Sequence, residues 1–190
     1  MELSPLEELS DSRFQREIAS ELERFSPEKD GSGSEQFSEA AGRQLSTLKS
    51  LLANPGDLEP ASVEPLLAGS FRSTVLDGGE RKQPPREAGD LAIQRVGWRA
   101  PGADTTYPYR GAAGFVQALK ELAPAAESLD AEFKIVQVRP LPGNMVMTGI
   151  LVHMQIRSGR VRRQLNASWS AKWARTGSSE PPLLAELQAV

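Results

Sequence analysis

Two alternating runs near the C-terminal end constrain the fold more than any other feature. "MVMTGILVHMQIR" spans Met145 to Arg157, and "RVRRQLNASWSAKWAR" spans Arg160 to Arg175. In each, apolar and polar side chains alternate with a period of two, the pattern of a strand with one dry and one wet face. Ser158-Gly159 between them is a two-residue hairpin signal, which predicts that Arg157 faces Arg160. Ile156 then faces Val161, Val152 faces Leu165, Ile150 faces Ala167, Val146 faces Ala171 and Thr148 faces Trp169, with Met154 opposite Arg163 the awkward pair. The other face collects Gln155 with Arg162, His153 with Gln164, Leu151 with Asn166, Gly149 with Ser168 and Met147 with Ser170. A one-residue slip would set apolar against polar along the whole hairpin. Gly149 in mid-strand predicts a bend or bulge, and so a curved sheet.

The rest of the chain supplies helices first and strands last. Phe14, Ile18, Leu22 and Phe25 recur at helical spacing and predict a helix over Ser12 to Phe25, capped by Ser10 or Asp11. "SPEKDGSGS" (Ser26 to Ser34) reads as a flexible linker, which makes residues 1–34 an appendage and 35–190 the main domain. A second helix is expected from Glu35 to Ala53, on the stripe Phe37, Ala41, Leu45, Leu48 and Leu52, ended by "NPGD". A short helix fits Ala61 to Leu67. The stretch from Asp77 to Asp90 reads as a loop, Leu91 to Trp98 as a strand and Ala112 to Ala123 as a third helix. "EFKIVQVR" (Glu132 to Arg139) and "PLLAELQAV" (Pro182 to Val190) complete the strands. Helices early and antiparallel strands late define an α+β class.

Composition narrows the function. No run of about 18 apolar residues exists, so no membrane-spanning helix is expected. The acidic N-terminus lacks the apolar segment of a signal peptide, so none is expected and the chain reads as soluble. There are no cysteines, which excludes disulfides and thiol catalysis and leaves the redox compartment open. Residues 1–30 carry nine acidic and four basic side chains, whereas residues 131–175 carry one acid, Glu132, and eight bases. The basic end could meet an anionic partner, but such runs are usually solvated faces. No P-loop, HExxH or Ser/His/Asp order is present. With a single His and no Cys, neither zinc nor any other metal or cofactor is expected.

The sequence "LEPASVEPLLAGSFRSTVL", the helix "YRGAAGFVQALKEL" with its Gly-x-x-Gly opening (Gly111, Gly114), and the strands ending in "NASWSAKWAR" together resemble the NTF2-like superfamily, in particular its SnoaL-like members. The likeness covers roughly residues 35–190 and rests on patterns rather than a signature. "VRRQLNASWSAKWAR" with "LLAELQAV" also resembles the domain that precedes FG-GAP/ASPIC-type repeats in some bacterial secreted proteins. The first resemblance implies a cystatin-like cone, with helices packed on the concave face of a strongly curved antiparallel sheet. It also implies a pocket between helices and sheet and a convex face that often dimerises. Members include isomerases, dehydratases, hydrolases and proteins that only bind or assemble, so the fold does not assign the chemistry.

In that frame the dry face looks into the cone, and Trp98, Tyr107, Phe115, Trp169 and Trp173 are the expected pocket-lining residues, or else its core plug. The wet face, with His153, Gln155, Gln164, Asn166 and Ser168, is the expected interface with a second copy. His153 as a general base is disfavoured, because it would lie outside the cone and could not reach a substrate proton. Asp90, and Asp104 near Tyr107 and Tyr109, could supply an acid or an oxyanion-stabilising pair, although "GAD" and "YPY" also read as turn sequences. Arg157, Arg160, Arg162 and Arg163 crowd one hairpin end, as a phosphate site or a solvated tip. "NAS" (Asn166 to Ser168) matches a glycosylation acceptor but lies mid-strand. No catalytic residue can be assigned. The sequence therefore favours a non-catalytic, homodimeric binding or assembly domain, with a small apolar ligand as an option and no membrane; a nucleic-acid or anion-binding basic sheet is disfavoured, because the wet face lacks interleaved aromatics. The competing reading is a SnoaL-like acid–base enzyme on a small apolar substrate.

Overall fold

The computed structural model describes residues 32–77, 86–88, 91–93, 105–177 and 180–190. The helix expected over Ser12 to Phe25 lies outside them, as do Asp90, Trp98 and Asp104. By compactness the chain falls into two units, Met1–Glu39 and Ala40–Val190.

The first described helix, α1 (Ser32–Leu52), begins inside the stretch expected as linker. It places Ala41, Leu45, Leu48 and Leu52 on one buried stripe, and Asn54-Pro55 ends it by opening a 3-10 turn over Pro55–Asp57. The short α2 (Pro60–Val63) has Pro at its first position, where a missing N–H costs nothing, and runs through a 3-10 turn (Glu64–Leu66) into β1 (Leu67–Ser73). The small strands β2 (Arg86–Ala88) and β3 (Leu91–Ile93) pair with each other, so the stretch expected as loop contains a strand. Then follow β4 (Tyr109–Arg110) and α3 (Gly111–Leu122), whose Phe115, Val116, Ala118, Leu119 and Leu122 are buried. Three strands of 14 residues come next, β5 (Ser128–Leu141), β6 (Met145–Ser158) and β7 (Val161–Ala174), and β8 (Leu183–Ala189) closes the chain.

The six-stranded sheet runs β4-β1-β8-β7-β6-β5. All pairs in it are antiparallel except β1 with β8, which is parallel and brings Arg72 beside Glu186. The register shifts within β5/β6 and β7/β8 curve it. The shift in β5 falls between Ile135 and Gln137, and Gln137 pairs with Gly149, so the irregularity expected from Gly149 sits in the neighbouring strand.

The hairpin register differs from expectation by two residues. Ser158 pairs with Val161, Arg157 with Arg162, Ile156 with Arg163, Met154 with Leu165, Val152 with Ala167, Ile150 with Trp169 and Val146 with Trp173. The loop is Gly159-Arg160 rather than Ser158-Gly159. Gly159 has φ +59°, so it takes the first central position of the turn, the place glycine fills in a type II′ hairpin. A shift of two keeps every side chain on its expected face. It sets Met154 against Leu165 and moves the awkward pairing to Ile156 opposite Arg163, nearer the hairpin end.

The Gly-x-x-Gly opening of α3 has a steric reason at its second position. A Cβ on Gly114 would lie 3.0 Å from the carbonyl carbon and 3.1 Å from the Cα of Tyr109. Backbone cannot yield as a flexible side chain would, so Gly114→Ala is expected to cost about 1–3 kcal/mol, the range for overpacking. Gly42 in α1 has nothing within 4 Å of its would-be Cβ, and Gly42→Ala is expected to stabilise by about 0.5–1 kcal/mol. Urea melts of the two variants should therefore move in opposite directions.

Candidate functional site

The inner sheet face packs against the helices as a filled core. Trp169, Trp173, Phe71, Phe115 and Ile150 are buried there, and Phe71 meets Phe115 at 4.9 Å between ring centroids. Trp173 Nε1 donates to Thr148 Oγ1 at 2.9 Å, so this inward-facing hydroxyl already accepts a hydrogen bond from the core. Between α1, α3 and the sheet a void of about 10 Å³ remains, lined by Leu45, Leu48, Leu66, Phe115, Trp173 and Leu184 among others. That is about the room one water requires. Two of the expected pocket residues, Phe115 and Trp173, line it. Trp169 is buried beside Phe133, at 5.8 Å between centroids. Tyr107 is not placed with them. Among the described residues the buried polar side chains on the inner face are Ser73 and Thr148. Neither is an acid.

Tyr107 instead belongs to a charged cluster on the outer face. Its centre is Glu186 of β8, only 6% exposed. Arg72 of β1 donates from Nε at 2.9 Å and from Nη2 at 2.6 Å to Glu186 Oε2. Lys172 Nζ of β7 lies 2.8 Å from Oε1, and Tyr107 Oη donates to the same oxygen at 2.9 Å. The Arg72 guanidinium also covers the Tyr107 ring at 4.2 Å. Burial pushes the Glu186 carboxyl up, but the hydrogen bonds from Lys172, Arg72 and Tyr107 together outweigh it and hold the group below its ordinary range. Tyr107 is pushed up to about 12, first by burial and then by its bond to Glu186. With four donors on two oxygens, Glu186 has no lone pair left to take a substrate proton. Sequence reasoning passed over it. The available signal was a lone carboxylate inside the apolar run "LLAELQAV", since a buried charge requires partners.

Tyr109, expected as a partner of Asp104, donates to Glu121 Oε2 of α3, and Gln117 Nε2 donates to the other oxygen at 2.9 Å. Burial and that bond push Tyr109 up to about 12. The expected interface residues all project from the outer face. The observed register puts His153 opposite Asn166 and Glu132, rather than opposite Gln164. His153 Nδ1 lies 2.7 Å from Asn166 Oδ1. An amide oxygen only accepts, so Nδ1 carries the proton in this arrangement. Gln155, Gln164 and Asn166 are exposed, and His153 and Ser168 are half-buried. Beside them Leu151 is 47% and Val136 54% exposed. No three His, Asp or Glu side chains cluster as a metal site among the described residues. No helix among them is long and apolar enough to cross a membrane.

Solved structures decide the fold. Kfla4162 from Kribbella flavida superposes with a TM-score of 0.53 at 7% identity, covering 83% of this chain and 91% of that one. A scytalone dehydratase candidate from Novosphingobium aromaticivorans gives 0.52 at 9% identity, over 85% and 86% of the two chains. A type-2 hexachlorocyclohexane dehydrochlorinase (LinA) gives 0.51 at 10% identity, over 80% and 82%.

The fold is that of the NTF2-like cone.

At such identities the likeness reaches no further than the fold. Neither a protein-family model nor a curated protein matches the sequence.

Proposed function

We propose that residues 35–190 form a non-catalytic NTF2-like binding or assembly domain that pairs with a second copy through its outer sheet face. The observation that carries this reading is the filled interior. An enzyme of the dehydratase type needs a cavity and an acid or base inside it. The inward hydroxyl of Thr148 is bound to Trp173, and about 10 Å³ of void remains beside it. The outer face carries the complementary feature. Leu151 is an exposed apolar side chain between Ser168 of β7 and Lys134 of β5, and Val136 is exposed beside Gly149, which suits a partly desolvated contact.

In a two-fold interface each residue is presented twice, so one added charge acts twice. Asn166→Arg places an arginine at the centre of this face and is expected to convert a micromolar dimer to monomer, with the unfolding midpoint within experimental scatter of the parent. Sedimentation velocity with a parallel urea melt reads both quantities. A parent chain that sediments as a monomer, or a variant that stays dimeric, contradicts the reading.

A further inference from the structure

The Glu186 cluster borders an open groove of about 440 Å³ on the outer face, lined by Ser70, Arg72, Arg110, Met145, Lys172, Ala185 and Glu186. We propose that this groove binds a small phosphate monoester, held by Arg110, Arg72 and Lys172. Three observations lead there. First, the charges do not balance. Three cations share the groove with one carboxylate, and that carboxylate is saturated by Arg72, Lys172 and Tyr107. Arg110 has no acidic partner among the described residues. Second, Arg72 and Arg110 are direct cross-strand partners in the β1–β4 pair, so two guanidinium groups are held on the same face. Like charges directly opposite destabilise a sheet, and an anion between them reverses the sign of that term. Third, the unused hydrogen-bonding groups are donors. Arg110 keeps its whole fork, Lys172 keeps N–H groups not spent on Glu186, and Ser70 adds a hydroxyl. The volume exceeds that of a bare phosphate and falls in the range of small-molecule sites. Met145 and Ala185 give the remainder of the ligand an apolar floor.

Glu186 acts here as a positioning residue. It holds Arg72 and Lys172 in fixed rotamers before the ligand arrives, which lowers the ordering cost of binding.

The test is an amide-shift titration of the full chain with inorganic phosphate and with phenyl phosphate, against sodium chloride at matched ionic strength. Saturable shifts at residues 70–72, 110 and 172 are expected, with phenyl phosphate the tighter of the two. Arg110→Gln removes an exposed side chain and leaves the Glu186 cluster whole. It is expected to weaken phenyl phosphate by roughly ten-fold or more. Arg160→Gln at the distant hairpin tip should leave the affinity unchanged. Equal shifts with chloride, full affinity in Arg110→Gln, or a loss in Arg160→Gln would each overturn the proposal.

Discussion

Replacing Trp173 by alanine is expected to lower the unfolding free energy by about 3–5 kcal/mol, the range for deleting a large buried aromatic. The side chain is 1% exposed and stands between Val146 of β6 and Leu184 of β8. It also walls the small void with Leu45, Leu48 and Phe115. Its removal enlarges that void and leaves Thr148 Oγ1 without its 2.9 Å donor. Leu151→Ala on the outer face of the same hairpin should change stability by less than about 0.5 kcal/mol, as exposed sites do. Urea denaturation of both variants checks the contrast. A tryptophan that merely lined an open pocket could be removed at little cost, so a loss below about 1 kcal/mol for Trp173→Ala would contradict the filled interior.

The second large effect belongs to Glu186. Glu186→Gln should destabilise by about 1–3 kcal/mol at neutral pH, because it leaves Arg72 and Lys172 close together without a counter-charge. The fully buried value is discounted because those side chains are 43% and 38% exposed and water screens them. The same residue sets a pH dependence. Its folded-state carboxyl titrates below the ordinary glutamate value, so the unfolded chain binds the proton first as pH falls. The stabilisation is therefore complete above the unfolded value of about 4.3 and is lost as pH drops through the lower folded value. Denaturation across that window should show the gap between the parent and Glu186→Gln closing from neutral to acid pH. A gap that stays constant would mean that ionised Glu186 does not contribute through these partners.

Local periodicity and fixed backbone chemistry were readable from the chain. The alternation over Met145 to Arg157 and Val161 to Trp173 gives the two faces of the hairpin, and the stripe from Ala41 to Leu52 gives the buried side of α1. The register was not readable, since a glycine can occupy either central position of a two-residue loop. Because the resulting shift is two residues, the assignment of faces survives it. β1 escaped because "LAGSFRS" is short and mixed in character, and its parallel partner lies more than a hundred positions away, Arg72 against Glu186. The outer cluster was invisible for the same reason. Its members come from positions 72, 107, 172 and 186 and meet only once the sheet order is known. Tyr107 was expected to line the cone, but its hydroxyl is drawn to the buried carboxylate on the opposite face.

Methyl groups report the two faces separately, and they test the central claim most directly. Leu151 and Val136 are exposed on the outer face, whereas Ile150 and Val152 are buried on the inner one. A dilution series from millimolar to micromolar protein, followed through methyl chemical shifts, should move Leu151 and Val136 together along one binding curve and leave Ile150 and Val152 in place. Stationary outer methyls throughout the series, or movement of the inner ones, would contradict a domain whose interior is core and whose outer sheet face is the surface that binds.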